Sequence, residues 1–160
     1  MILKDKVAIV TGGADGIGAG LSRAFVREGA RVVIVDIQQD KGLALEHELG
    51  ANARYLNIDL RDPDMASRTL EFVRASFGDR LDALVNNGQA SGAALILDVD
   101  QELLDRTFDT GLWATWNLMR ACHPMLAASR GSIINFASGA GPGGGGAPVG
   151  DAVNKEAHPG

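Results

Sequence analysis

Short unbroken apolar runs separated by stretches of helical spacing set the pattern of this chain. Residues 7–10 (Val-Ala-Ile-Val) and 31–36 (Arg-Val-Val-Ile-Val-Asp) read as strands buried on both faces. Between them Ile17, Leu21, Phe25 and Val26 recur on one face of a predicted helix, and Gly29 stands where a C-terminal cap belongs. Residues 41–49 predict a second helix, stopped at Gly50, and 53–60 alternate as a third strand. Asp62 as N-cap with Pro63 at the first helical position predicts a third helix, which presents Met65, Leu70, Phe72, Val73 and Phe77 and stops at Gly78. Residues 81–87 form a fourth strand ending in two amides. A loop over 91–99 then leads to helical pattern over 100–128, as two helices or as one bent near Thr110-Gly111. Trp113, Trp116, Leu118 and Met119 read as packing residues, with a helix contact between subunits as a further use. Residues 131–138 are the fifth strand.

Strands alternating with helices give a parallel sheet covered on both faces. At 160 residues the chain suits a single domain, 1–160, since domains commonly run about 100–150 residues. A net charge of −5 argues against a nucleic-acid surface or a polybasic membrane patch. The single cysteine, Cys122, excludes an internal disulfide, fits a reducing compartment and reads as a small buried apolar residue. No apolar stretch approaches the roughly 20 residues that span a bilayer, and the N-terminus lacks a signal-peptide apolar region. The expected location is the cytoplasm. His123, ahead of Pro124, reads as a polar residue near a helix end; with His47 and His158 far off in sequence, no metal site is expected.

The candidate chemistry lies at the first strand–helix junction, Thr11-Gly12-Gly13-Ala14-Asp15-Gly16-Ile17-Gly18. Glycines there allow a sharp turn and let a pyrophosphate approach main-chain N–H groups at a helix N-terminus, where the dipole favours negative charge. Asp36, closing the second strand, can accept hydrogen bonds from an adenosine ribose and would repel a 2′-phosphate. No Lys or Arg occurs between Thr11 and Gly18, and Asp15 adds negative charge, so NAD is favoured over NADP. Right-handed crossovers place the ends of the first and fourth strands beside the switch point of a doubly wound sheet. Gly12, Gly18, Asp36, Asp59, Asn86 and Ser138 all fall at carboxyl ends of strands.

Taken together, the TGGADGIG loop at 11–18, Asp36, Asp59, Val85-Asn86-Asn87, the SIINFAS run at 132–138 and Lys155 resemble the short-chain dehydrogenase/reductase family along the whole length. The resemblance implies a three-layer Rossmann-type fold and NAD-dependent alcohol/carbonyl chemistry on a small substrate. It assigns cofactor contacts to Gly12, Asp15, Gly16, Ile17, Gly18, Asp36, Asp59, Leu60, Asn86 and Lys155. Ser138 would polarise the substrate carbonyl, and Lys155 would hold the nicotinamide ribose and lower the pKa of a catalytic tyrosine. That tyrosine position holds Asp151, and the family's helical asparagine, part of a proton relay, corresponds to Gly111. A carboxylate with an ordinary pKa near 3.9 is a poor proton donor to an alkoxide. Tyr55, the only tyrosine, lies on the third strand. The family's NNAG motif reads Asn86-Asn87-Gly88-Gln89.

The sixth strand of the usual doubly wound order has no counterpart, so the C-terminal part reads as missing. The glycine-rich stretch 139–150, of linker composition, occupies the substrate-loop position. With that cover absent, Ile134 and Phe136 are expected to be under-covered, which favours homo-oligomers. The expected activity is an oxidoreductase impaired at its proton-handling group. Two alternatives stand beside it: a nucleotide-binding protein without turnover, and a fragment that only self-associates through Trp113 and Trp116.

Overall fold

In the computed structural model, residues 1–90, 92 and 98–137 are described. Five parallel strands form one sheet, β1 (Val7–Thr11), β2 (Arg31–Asp36), β3 (Ala53–Asn57), β4 (Ala83–Asn86) and β5 (Ser132–Asn135), in the order β3-β2-β1-β4-β5. The helices are α1 (Gly16–Arg27), α2 (Gln39–Leu49), α3 (Met65–Phe77), α4 (Gln101–Phe108) and α5 (Ala114–Ser129). Successive side chains on a strand face opposite ways, and the two cores follow that alternation. Val7, Ile9, Val33, Val35 and Leu84 pack with α3 and α5. Val10, Val32, Ile34 and Val85 pack with α1 and α2. The chain therefore folds as a three-layer, doubly wound α/β sheet, and β1 beside β4 is its switch point.

The helices refine the sequence reading. The buried face of α1 consists of Gly18, Ala19 and Ser22, with Leu21, Phe25 and Val26 flanking it, while Ile17 is 66% exposed. Small residues let this helix come close to the sheet, so its apolar stripe is turned from the one that periodicity suggests. α3 begins at Met65 rather than at Pro63. The Asp62 carboxylate does not cap it; it accepts from the Asp64 N–H at 2.8 Å and the Arg68 guanidinium at 2.5 Å, closing a turn ahead of the helix. The 100–128 stretch is two helices joined by a π-turn over Asp109–Trp113, and α5 continues through His123 and Pro124. Leu118 is buried, but Trp113 and Trp116 are 54% and 48% exposed, and Arg120 lies over the Trp116 ring. Cys122 is buried, and burial pushes its thiol up to about 12.

Strands β3, β4 and β5 are each shorter than their apolar runs, and Ile58 continues the β2 ladder by donating to the Asp36 carbonyl at 3.2 Å. Ile133 and Ile134 on β5 are exposed, as expected for Ile134, whereas Phe136 packs against the α1–α2 core. At the amino ends of the strands the buried Asp82 carboxylate ties three segments together. It accepts from the Val7 N–H, the Lys6 ammonium and the Arg80 guanidinium at 2.7–3.0 Å. Burial opposes its ionisation, yet these donors hold its pKa down to about 2.

Candidate functional site

At the opposite, carboxyl end of the sheet, β1 runs into the glycine loop. Gly12 and Gly16 adopt φ of 59° and 50°, the left-handed region that glycine enters without strain. At Gly12 and Gly18 space forbids side chains as well. A Cβ on Gly18 would lie 2.0 Å from the Gly12 carbonyl oxygen, and one on Gly12 would lie 2.7 Å from Gly88 Cα. The loop of β1 and the turn after β4 are thus in main-chain contact, with no room for a methyl group at Gly12, Gly18 or Gly88, whereas Gly16 faces open space.

Two side chains bind these turns together. Thr11 Oγ1 accepts from the N–H groups of Asn87 at 3.1 Å and Gly88 at 2.9 Å. Asn87 Nδ2 donates to the carbonyls of Thr11 at 3.0 Å and Gly12 at 3.2 Å. Ser22, nearly two turns into α1, donates to the Gly18 carbonyl at 3.0 Å and reaches the Gly13 carbonyl at 3.3 Å. The loop is held in shape before any ligand arrives, which lowers the ordering cost of binding.

A cleft of about 380 Å³ opens beside it, lined by Gly12, Asp15, Asp36, Ile37, Gln38, Asp59, Leu60, Arg61, Asn87, Arg106 and Thr110, among others. That volume is at the lower end for small-molecule sites, the scale of a nucleoside rather than of a whole dinucleotide. Asp36 is almost fully buried; one carboxylate oxygen accepts from the Ala14 N–H and the other from the Gln38 N–H, both at 3.0 Å. These bonds fix its carboxylate between the glycine loop and the turn after β2.

Asp59 accepts a forked pair from Arg61, with Nη2 at 2.7 Å and Nε at 3.1 Å, and the Arg61 guanidinium holds its carboxyl below the usual range. Asp15 caps α1 by accepting from the Gly16 N–H at 2.9 Å, and the Lys41 ammonium, 2.5 Å away, lowers its pKa. The negative charge expected of Asp15 is therefore met by a cation from α2. Thr110 accepts from the Ala90 N–H at 2.8 Å, tying the π-turn after α4 to the segment after β4.

Of the positions assigned from sequence, Gly12, Asp15, Asp36, Asp59 and Leu60 line one cleft, with Gly16 and Gly18 in the adjoining loop. Ile17 projects into solvent at the start of α1. Asn86 is buried away from the cleft lining, and its Nδ2 donates to Asn135 Oδ1 at 2.8 Å across the β4–β5 pair. Its neighbour Asn87 takes the position beside the glycine loop. Gly111 is buried within the π-turn after α4. Ser138, Asp151, Lys155 and the 139–150 stretch lie outside the described residues.

Sequence reasoning missed Lys41, Arg61 and Arg106. The charges themselves were visible, but only the folded packing brings Arg61 and Arg106 to the cleft lining and sets Lys41 of α2 against Asp15. No group of three or more His, Cys, Asp or Glu able to hold a metal occurs among the described residues. No helix among them is long and apolar enough to cross a membrane.

The family model described as short chain dehydrogenase matches residues 6–149. The 12alpha-hydroxysteroid dehydrogenase of Clostridium sp. is 38% identical over 151 residues, covering 88% of this chain and 58% of that protein. Galactitol 2-dehydrogenase of Agrobacterium fabrum is 37% identical over 143 residues, covering 88% and 56%. Sorbitol dehydrogenase of Cereibacter sphaeroides is 38% identical, with the same two coverages. The chain spans about half the length of the curated relatives it matches. A glycine cradle too tight for side chains, at the switch point of a doubly wound sheet, agrees with these matches: the chain belongs to the short-chain dehydrogenase family.

Proposed function

We propose that this chain binds a nicotinamide dinucleotide, NAD in preference to NADP, and serves oxidoreductase chemistry on a small alcohol or carbonyl compound. The family uses a nicotinamide dinucleotide and acts on small substrates; the choice of NAD is read from this chain's own residues. One observation carries the reading: Gly12 and Asp15 of the glycine loop and the buried Asp36 carboxylate line one cleft at the β1–β4 switch point. The loop and the N-terminus of α1 would hold the pyrophosphate, because the first-turn N–H groups of a helix lack intrahelical acceptors and the helix dipole favours an anion there. Asp36 would accept from the adenosine ribose hydroxyls through lone pairs left over after its two backbone bonds, and Asp59 and Leu60 would border the adenine. The bound cofactor supplies hydride transfer.

A 2′-phosphate would meet the Asp36 charge in a buried setting, where repulsion is poorly screened. Lys41 does not offset this, because its ammonium is engaged by Asp15. Relatives named for steroid, galactitol and sorbitol oxidation make a secondary alcohol the reasonable substrate class, without selecting one.

Proton handling separates two readings. With Ser138 and Lys155 in their family roles, Asp151 supplies a carboxylate where a neutral hydroxyl is required, and turnover would be strongly impaired. A nucleotide-binding protein without turnover is the second reading, and Asp151 is the observation that favours it. Exposed Trp113 at the end of the π-turn and Trp116 on α5, together with exposed β5, support homo-oligomers, and a single free cysteine supports a cytoplasmic location.

Calorimetric titration of NAD and NADP tests the proposal. NAD should bind more tightly, and Asp36→Ala should narrow the gap. Equal affinity of the unmodified chain for both, or no binding of either, defeats it.

A further inference from the structure

The chain's only tyrosine is far in sequence from the family's catalytic position, yet it supports the turn that lines the candidate cofactor cleft. Tyr55 on β3 is buried and donates its phenolic O–H to the Asp36 carbonyl at 3.0 Å. Asn57 Nδ2 donates to the same phenolic oxygen at 2.6 Å and to the Ile37 carbonyl at 3.0 Å. The ring occupies a slot that exists because residue 42 is glycine; a Cβ there would sit 2.1 Å from Tyr55 Cε2. Gly42 in turn donates its N–H to the Gln38 carbonyl at 2.9 Å.

The last residue of β2 and the two that follow it are thus each held through their main-chain carbonyls. Asp36 is held by Tyr55, Ile37 by Asn57 and Gln38 by Gly42. These are the residues that present the carboxylate and line the cleft where a ribose would lie. The carboxylate's own contacts, to Ala14 and Gln38, hold it only as well as the backbone beneath it is held. On the β3 side, the Asp36 carbonyl has one other donor, the Ile58 N–H at 3.2 Å. Removing the phenol therefore leaves the strand pairing intact while loosening the turn.

We infer that Tyr55 is a positioning residue for cofactor selection: its hydroxyl, seated in the slot left by Gly42 and braced by Asn57, fixes the backbone that aims Asp36 at the 2′-position of the adenosine ribose. The inference rests on the proposed role of Asp36 and adds a residue that acts through it. Charge repulsion against a 2′-phosphate is effective only while the carboxylate cannot swing aside. A loosened turn weakens the hydrogen bonds to the ribose of NAD and at the same time relieves the clash with NADP. Tyr55→Phe keeps the ring in its slot and deletes only the hydroxyl.

The test is the ratio of NADP to NAD dissociation constants, measured by calorimetry for the unmodified chain and for Tyr55→Phe, with thermal melting as the control for folding. One net hydrogen bond lost through the turn predicts a three- to tenfold fall in that ratio, to within about a factor of two. Weaker binding of NAD with NADP unchanged or improved supports the inference. Equal weakening of both would show a purely structural tyrosine and overturn it, and so would an unaltered ratio in a folded variant. If Asp36→Ala narrows the ratio and Tyr55→Phe does not, the positioning role fails while the Asp36 reading stands. If the unmodified chain shows no preference, both fall.

Discussion

Replacing Asp82 by asparagine removes one charge from the amino ends of the strands and leaves the cofactor cleft untouched. The carboxylate is 6% exposed and accepts from the β1 backbone, Lys6 and Arg80. Its pKa falls from the ordinary 3.8 to about 2, and at about 1.36 kcal/mol per pH unit this corresponds to about 2–3 kcal/mol of native-state stability. Because Lys6 and Arg80 are half-exposed and solvent weakens their attraction, about 2 kcal/mol is the working value. A carboxylate with a depressed folded pKa stabilises the fold fully above its unfolded value, and that contribution is lost as pH falls through the folded value. The loss therefore falls between about pH 4 and about pH 2.

Urea unfolding of the parent and of Asp82→Asn should differ by about 2 kcal/mol at neutral pH, or about 4–8 °C in melting temperature for a chain of this size. The gap should hold down to about pH 5 and close towards pH 2. A neutral-pH gap below about 0.5 kcal/mol would refute the reasoning, because it is no larger than an ordinary surface substitution produces. A gap that persists at pH 2 would refute it as well, since the carboxylate would then not be its source.

Other expectations concern the site. Gly18→Ala forces a Cβ to within 2.0 Å of the Gly12 carbonyl oxygen and should cost about 1–3 kcal/mol in urea unfolding while weakening NAD binding at least about tenfold by calorimetry; unchanged affinity would remove the loop from the cofactor site. Asp151→Tyr restores a neutral hydroxyl, worth about 10²–10⁴ in rate when well placed, and should give a detectable but smaller gain in NADH production from a secondary alcohol. Gly111→Asn, restoring the relay, should add to that gain; no NADH from the double variant, with NAD binding demonstrated, would mean that proton handling is not what limits this chain.

How far the sequence disclosed this arrangement depends on what each residue's role rests on. Apolar runs revealed β1 and β2, whose positions are buried on both faces and leave an uninterrupted signature, whereas β3 was legible from alternation and the exposed β5 from a short apolar run. The glycine loop and Asp36 were legible because backbone conformation and charge constrain residue type locally. The buried face of α1 was not, since close approach to the sheet selects Gly18, Ala19 and Ser22, which carry little hydrophobic signal. The neutralisation of Asp15 by Lys41 and the fork of Arg61 on Asp59 depend on side-chain reach across turns and helices, which spacing alone does not encode. Exchange of roles between neighbours was equally hidden: Asn86 turns towards Asn135 while Asn87 binds the loop, a choice fixed by the alternation of β4 and visible only once its register is known.

The most direct test of the central claim is to map NAD onto the chain by its backbone amide resonances. Saturating NAD should shift the amides of the glycine loop from Gly12 to Gly18, the turn at Asp36, Ile37 and Gln38, and the segment from Asn87 to Ala90, because these surround one cleft. The amino ends of the strands around Asp82 should stay unchanged. Shifts confined to α5 and its exposed tryptophans, or none at all, would contradict a dinucleotide site at the β1–β4 switch point.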